Sequence, residues 1–414
     1  GKGCFQRIIK IKGIGVGVSL NQQMIDHRFA VEYDGGTKRQ VDWKEYLHGD
    51  GYQTHGIGKM HFSPESRKLW GYESRVFSEE GAGEDDFRLF LDQNGYDHIV
   101  APQGERSEYY YVPQPSQLPE RLHHTTWMGN KTIEFLNHRE EDRPFFCWTS
   151  FIKPHPPFEA PVPWSRLYRL VEMMPPHLPP DSQTFLSYWN HFQNRYKYRD
   201  QGCDVNLLRL MRAAYYATIS QIDYQVGRIL NRLEEQGILD QTLILFTSDH
   251  GELLGDHGLW MKGPFHYEQL IRVPTIVRWP EGIPGGRKEQ GLFSLVDIVP
   301  TALTAAGLEL DESVDGVNSL PLLRGESKTR DDVLVECIDD PNKLRLKTIV
   351  TENRKLTWYR GQSYGELYDL ENDPREKVNH WNNPDYAADK SDLLTRIPNH
   401  LESLEPRAER YSYA

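Results

Sequence analysis

The chain has 414 residues and a formal net charge of −12, with 38% hydrophobic and 26% charged residues. This length predicts one large domain and a smaller one. The acidic balance argues against nucleic acid or an anionic membrane surface as the main partner. The four cysteines lie far apart without a CxxC pair, so neither a disulfide framework nor a zinc knuckle is indicated. No apolar stretch approaches the ~20 residues of a membrane span.

Short apolar runs alternate with amphipathic ones along most of the chain. Residues 1–40 have no clean hydrophobic period and do not resemble the start of a well-formed domain. Residues 63–120 are predicted to be a long irregular excursion that shapes a substrate mouth. Strands are predicted at Tyr52–His61, Phe145–Ile152, Leu243–Phe246 and Arg272–Trp279, and helices at Thr125–Arg139, Asn206–Gln236 and Ser294–Gly307. The alternation predicts an α/β fold, with a mixed, mostly parallel sheet between helices.

After about residue 325 the pattern changes to short β-rich runs separated by turn residues. They predict a small antiparallel sheet followed by a helix near Ser391–Leu404. We therefore divide the chain into an α/β domain, residues 1–325, and a small C-terminal α+β subdomain, residues 326–414.

Chemically active side chains follow several predicted strands. Asp249 and His250 come directly after the apolar run Leu243–Phe246, and ligands of open α/β sheets bind beyond the carboxyl ends of the strands. A carboxylate beside an imidazole suits a divalent cation. Lys59 and His61 stand at the end of another strand. Each residue alone is weak evidence, because an Asp at a strand end is often only a helix cap.

Two further candidates lie in loops. His155 is held between prolines after the strand Phe145–Ile152, where a histidine is often only a loop residue. Lys262 lies between Gly258 and Gly263, which allow its loop to fold back towards the strand end. An exposed loop lysine is the alternative. A functional role for these residues is indicated by their combination, because several of them follow strand ends in a chain that is otherwise acidic.

Several segments resemble the type I sulfatases, of the arylsulfatase and choline-sulfatase kind, in the alkaline phosphatase superfamily. The run SDHGELLGDHGLWMKGPFHYEQLIRVPTIV resembles the second metal motif of that family. GYQTHGIGKMHF resembles its Lys-x-His segment, FIKPHPPFEAP its Pro-His-Pro-Pro segment, and RAAYYATISQIDYQVGRIL the helix before the metal motif. The resemblance covers roughly residues 40–380 and keeps the order of the family's motifs.

The resemblance implies an alkaline phosphatase-like fold and one divalent cation bound by Asp249 and His250. Ca²⁺ is expected, or Mn²⁺ or Zn²⁺ if the protein instead hydrolyses phosphonates or diesters. The substrate implied is a small-molecule or carbohydrate sulfate ester. The compartment and oligomeric state are left open.

The resemblance also implies roles for four other residues. Lys59 and Lys262 would contact the sulfate oxygens. His61 would assist the nucleophile or position the ester, and His155 would hydrogen-bond the sulfate or protonate the leaving oxygen. Ester hydrolysis needs such cations and such an acid.

The N-terminal part departs from the family. Its members begin with a strand that ends in two acidic ligands, followed by a Cys/Ser-x-Pro-x-Arg motif whose first residue is oxidised to formylglycine. Here Cys4 is followed by Phe5-Gln6-Arg7, without the proline and with the arginine one place early. We therefore expect a truncated or aberrant N-terminus that lacks the first strand, half of the metal site and the nucleophile. Cys4 as nucleophile is the less favoured reading.

Three functions follow. The first is hydrolysis of sulfate monoesters. The second is phosphodiester or phosphonate monoester hydrolysis within the same superfamily. The third is binding of a sulfated ligand without turnover, because the nucleophile motif is absent.

Overall fold

A computed structural model of the chain describes residues 11–14, 47–60, 62, 66–79, 85–106, 112–176, 205–260, 262–310, 314, 316–339 and 344–401. Its strands are β1 (Ile11–Ile14), β2 (Gln53–Gly58), β3 (Ser74–Phe77), β4 (Gln114–Pro115), β5 (Phe145–Ser150), β6 (Glu159–Ala160), β7 (Thr242–Thr247), β8 (Thr275–Arg278), β9 (Asp332–Asp339), β10 (Leu344–Thr351), β11 (Arg354–Tyr359) and β12 (Gly365–Asp369). Its α-helices are α1 (Asp86–Gln93), α2 (His124–His138), α3 (Val205–Glu235), α4 (Glu268–Ile271), α5 (Ile298–Ala305), α6 (Leu320–Arg324) and α7 (Ala387–Leu401).

The large sheet is mostly parallel, as predicted. β2 pairs in parallel with β3 and β5, and β1 pairs in parallel with β7. β8 is antiparallel to β7, and β1 also lies against β5, which brings the two three-stranded arrays side by side. Parallel strands need crossover connections, and helices α1 and α2 lie in the connection from β3 to β5.

Strand β5 shows why helices cover both faces of this sheet. Successive side chains of a strand point to opposite faces. Phe145 and Cys147 face a core built with α2 and α3, whereas Phe146 and Trp148 face a second core that contains Val299 and Leu303 of α5. Every residue of β5 is buried, as expected for a strand that is covered on both faces.

Helix α3 leads the chain into the strand that carries the predicted metal pair. Its buried residues recur at helical spacing, as in Ile222, Ile229 and Leu233. The helix closes at Gly237, whose amide donates to Glu234 O (2.9 Å). The predicted helix Asn206–Gln236 is therefore confirmed to within one residue at each end.

The C-terminal strands form an antiparallel sheet in the order β12-β11-β10-β9. Helix α7 packs on one face of it, against a cluster that includes Ile349, Leu356 and Leu367. The predicted sheet and helix are confirmed, although α7 begins at Ala387, before the predicted Ser391. The domain boundary at residues 325–326 stays a prediction.

The expectation that residues 63–120 are one irregular excursion is wrong, because the stretch contains β3 and α1. Within residues 1–40, where the sequence has no clean period, the structure has the strand β1. Helix α1 is short, but Asp85 caps it by accepting from Phe87 N (2.8 Å). Phe87 and Leu91, one turn apart, are buried in the core beside Trp127. Pairing with β7 and burial against Trp127 are tertiary effects that local periodicity does not reveal. None of the described helices has the length and apolar composition to cross a membrane.

His266 links the segment after β7 to the C-terminal sheet. The buried ring is hydrogen-bonded through Nδ1 to Thr348 Oγ1 (2.7 Å). Burial, followed by the charge of Lys355, lowers the pKa of His266 from 6.5 to about 3. In the unfolded chain the His266 ring therefore binds a proton below about pH 6.5, whereas in the folded chain it does so only below about pH 3. Stability contributed by the neutral ring is present above this window and falls as the pH decreases through it.

Replacing His266 with glutamine should make the free energy of unfolding depend less on pH below about pH 6.5. Between about pH 6.5 and pH 4, the free energy of unfolding of the parent in urea should fall by about 1.4 kcal/mol per pH unit because of this residue. His266→Gln should lack that component. His98→Gln, at an exposed position, serves as the control and should keep the parental slope. Equal slopes for the parent and His266→Gln would contradict the assignment.

Candidate active site

The turn after β7 is held by hydrogen bonds between neighbouring residues. The Ser248 hydroxyl donates to His250 O (2.9 Å), and the His250 amide donates to Asp249 Oδ1 (2.9 Å). Asp249 and His250 are partly buried, and their side chains point to the same place, with His250 Nε2 3.3 Å from Asp249 Oδ2. The turn therefore presents the two predicted ligands together at the carboxyl end of the strand.

The imidazole of His250 is held in one tautomer. Its Nδ1 donates to Gly251 O (2.7 Å), which leaves Nε2 with a lone pair that faces Asp249. Burial lowers the pKa of His250, Asp249 opposes this, and the charges of Lys262 and Lys59 lower the pKa further. A neutral imidazole is the form that binds a metal ion.

The pair fits a shared cation. A neutral Nε2 and a carboxylate oxygen both present lone pairs, and a cation between them removes their repulsion. Metal–ligand bonds of about 2.0–2.6 Å set neighbouring ligand atoms about 3 Å apart, close to the spacing seen here. Across the described ranges there is no group of three or more His, Cys, Asp and Glu side chains that could hold a metal. As ligands, Asp249 and His250 would supply part of a coordination sphere.

Lys59 and Lys262 reach this pair from two different loops. Lys59 follows Gly58, the last residue of β2, and Lys262 lies in the segment between β7 and α4. Both charges act on His250, which places the two ammonium groups near it. Gly58 has φ +90, and a Cβ there would lie 2.5 Å from Ser150 O, so only glycine allows β2 to end in this way. The structure thus brings four of the six predicted site residues together.

His155 lies in the turn after β5, the neighbour of β2. Its ring Nδ1 is hydrogen-bonded to Pro156 O (2.7 Å), and its amide donates to Ile152 O (3.1 Å). The ring nitrogen Nε2 is then the one that can meet a ligand. His61 and Cys4 lie outside the described residues.

A buried ionic network supports the His155 turn and was missed in the sequence. Lys153 donates to Gln103 O (3.0 Å) and Pro157 O (2.7 Å), and it pairs with Glu159 (3.3 Å). His123 Nε2 lies 2.9 Å from the same carboxylate. Burial alone raises the pKa of Glu159, but His123 and Lys153 reverse this and lower it to about 2. In the sequence Lys153 and Glu159 look like ordinary loop charges.

Tyr215 is a second residue that sequence reasoning missed. Its ring packs edge-on against Phe158, with centroids 5.6 Å apart. Burial and the charges of Glu252 and Asp249 raise the pKa of Tyr215, so its hydroxyl stays protonated near the metal pair. The residue fits the apolar period of α3, which gave no reason to separate it from the core.

Comparison with known proteins agrees with this geometry. The "Sulfatase" family model matches residues 22–308, and the model described as "N-sulphoglucosamine sulphohydrolase, C-terminal" matches residues 255–403. An arylsulfatase of Clostridium perfringens is 31% identical over 393 residues, which cover 87% of this chain and 77% of that protein.

Two solved structures share the fold. The phosphonate monoester hydrolase of Agrobacterium radiobacter superposes with a TM-score of 0.73 at 24% identity, over 87% of this chain and 80% of that one. A protein named BT4656, solved with its substrate D-glucosamine-2-N,6-O-disulfate, superposes with a TM-score of 0.66 at 23% identity, over 87% and 81%.

The family models and the arylsulfatase relative define a hydrolase that acts on ester bonds, and its fold is shared with these two solved structures. Within that class the chain belongs to the sulfatase family, whose members cleave sulfate esters.

The turn that carries the pair depends on a close backbone approach at Gly251. Its amide donates to Leu270 O (2.7 Å), and a Cβ at this position would lie 1.9 Å from Gln269 O. Gly251→Ala must therefore move His250 relative to α4. Displacements of about 1 Å in a catalytic site can cost about 100-fold in rate, and we expect a loss of that order in kcat/KM for an aryl sulfate.

The matched control for this change is Gly227→Ala, in helix α3, where a Cβ meets nothing within 4 Å. It should keep parental turnover and a melting temperature equal to or slightly above that of the parent, because alanine is favoured over glycine inside a helix. If Gly251→Ala retains full activity, the Gly251–Leu270 contact does not set the geometry of the pair.

Proposed function

We propose that this sulfatase hydrolyses singly charged sulfate monoesters in the pocket at the ends of β2, β5 and β7. The observation that carries the proposal is the turn that holds His250 Nε2 3.3 Å from Asp249 Oδ2, where the charges of Lys59 and Lys262 act on His250. The protein carries a net charge of −12, so two ammonium groups beside one metal pair form a local site for an anion.

The two lysines would bind the non-bridging oxygens of the ester and stabilise the charge that develops on them during attack at sulfur. As the sulfur–oxygen bond to the leaving group breaks, the imidazolium form of His155 would give its Nε2 proton to the departing oxygen and remain as the neutral ring with its proton on Nδ1. Its hydrogen bond to Pro156 O holds the ring while this occurs.

His61 is assigned by resemblance to assist the nucleophile or to position the ester. The family's nucleophile is a formylglycine, and Cys4 is the less favoured candidate for its precursor here.

Asp249 and His250 would hold one divalent cation, for which we propose Ca²⁺. When bound, the cation would add positive charge at the sulfate oxygens. The hydrogen bond from His250 Nδ1 to Gly251 O keeps Nε2 directed at the shared position.

The second candidate is hydrolysis of phosphonate monoesters or phosphodiesters. These esters are also tetrahedral and singly charged near neutral pH, so the two lysines do not by themselves separate them from sulfate esters. The likeness to a phosphonate monoester hydrolase motivates this alternative, although at 24% identity it bears on the fold alone. A pocket that binds sulfated ligands without turnover is the third reading.

Loss of one lysine charge should test the proposed binding of the ester oxygens by Lys262. Lys262→Met keeps most of the side-chain length, and we expect kcat/KM for an aryl sulfate to fall about 10²–10³-fold, as for other oxyanion contacts. Lys288→Met, at an exposed position, is the control and should behave as the parent.

The same preparations should be given an aryl phosphonate monoester and a phosphodiester. Faster cleavage of either than of the sulfate would favour the second candidate. Binding of sulfated sugars by calorimetry without any turnover would favour the third.

Removal of the cation should abolish activity reversibly. After dialysis against a chelator, we expect sulfate release to stop and to return with Ca²⁺. Asp249→Asn removes a ligand charge and should raise the Ca²⁺ concentration for half-maximal activity by at least about tenfold. Full activity in chelator would contradict a role for the metal, and recovery only with Mn²⁺ or Zn²⁺ would contradict the choice of Ca²⁺.

A further inference from the structure

The C-terminal sheet uses its two faces differently. Leu356 and Leu367, a cross-strand pair, point to helix α7. The neighbouring pair, Lys355 and Tyr368, points the other way, towards the segment between β7 and β8. That segment, residues 248–271, carries Asp249, His250 and Lys262, and we call it the metal-pair segment. A largely polar sheet face thus packs against the part of the chain that holds the candidate site.

Lys355 lies at the centre of this contact. It is fully buried, and its ammonium group pairs with Glu376 and lies 3.6 Å from Glu268 Oε1. Glu376 is buried as well, and its other oxygen accepts from Glu268 N (2.7 Å). One ammonium group therefore neutralises two carboxylates, of which one belongs to the C-terminal unit and one begins α4.

A short path of contacts connects Lys355 to the metal pair. Glu268 is the first residue of α4, and Leu270 of the same helix accepts the Gly251 amide (2.7 Å). The Gly251 carbonyl then accepts from His250 Nδ1 (2.7 Å). A shift of α4 would be passed to the ring of His250 through these two hydrogen bonds.

We infer that Lys355 is a positioning residue for the active site, which acts from the C-terminal sheet by holding α4 against the turn that carries Asp249 and His250. Without the ammonium group, Glu376 would be a buried carboxylate without its counter-charge, next to Glu268. The start of α4 would move away from it and loosen the Gly251–Leu270 contact. This inference rests on the proposed roles of Asp249, His250 and Lys262.

The same sheet offers a matched control. Lys347 on β10 is also a buried lysine and pairs with Glu336 on β9. It lies opposite Trp358, on the face that packs against α7, and so points away from the metal-pair segment. Lys355→Met and Lys347→Met each remove one buried ammonium group from the sheet. A general loss of stability should appear in both, whereas loss of positioning should appear in Lys355→Met alone.

Hydrogen exchange of the native protein gives a readout that is independent of turnover. In Lys355→Met we expect backbone amides in peptides covering residues 249–271 to exchange at least about tenfold faster than in the parent, through local opening. In Lys347→Met they should exchange at the parental rate. Lys355→Arg, which restores a cation, should recover most of the protection.

Turnover of an aryl sulfate supplies the second readout. Lys355→Met should lower kcat about tenfold or more and raise the Ca²⁺ requirement, whereas Lys347→Met should change neither. If the parent shows no sulfate release, the proposed function fails while the exchange data still test the positioning of the segment. Parental exchange at residues 249–271 in Lys355→Met, or equal acceleration in both variants, would overturn the inference.

A milder substitution keeps the test open if Lys355→Met does not fold. Glu268→Gln removes only the carboxylate at the start of α4, which is partly accessible, and leaves the pair between Lys355 and Glu376. It should accelerate exchange at residues 249–271 with little change in melting temperature. Parental exchange in that variant would also overturn the inference.

Discussion

The contact between the Gly251 amide and Leu270 O is the constraint on which the site depends. A buried strand can end in any direction, but this one must turn at once so that its backbone meets α4. Only a residue without a Cβ permits that approach. The turn then directs His250 and Asp249 to one point, because its own hydrogen bonds determine both side chains. The metal pair is thus a product of backbone packing before any ligand binds.

Charge is distributed unevenly in this molecule, and the distribution suits an anionic substrate. The net charge of −12 repels a sulfate ester at long range, but this field is screened over about 8–10 Å at physiological ionic strength. Inside the pocket the nearby charges of Lys59 and Lys262 are screened less, since the site is partly desolvated. Burial lowers the pKa of His250, and the same two charges lower it further. One arrangement therefore attracts the anion and preserves the ligand form of the imidazole.

Much of the fold could be predicted from the sequence, because α3 and β5 carry strong and simple periods. Part of the site could be predicted for the same reason, since Asp249 and His250 directly follow an apolar strand. The buried network of Lys153 and Glu159 could not be predicted, because the sequence of a charged loop residue is the same whether the residue is solvated or paired in the interior. Strand β1 was missed because its pairing with β7 is a long-range contact that leaves no local signal.

The polar interface of the C-terminal sheet also needs a physical reason. Buried ion pairs often contribute less to stability than well-packed apolar groups, because both charges must leave water. Apolar contacts, however, tolerate small sliding movements, whereas an ammonium group between two carboxylates is satisfied in only one arrangement. An apolar interface at Lys355 could hold the two units together and still leave α4 free to shift. For an enzyme whose proposed metal ligand, His250, is linked to α4 by two hydrogen bonds, a defined register matters more than additional stability.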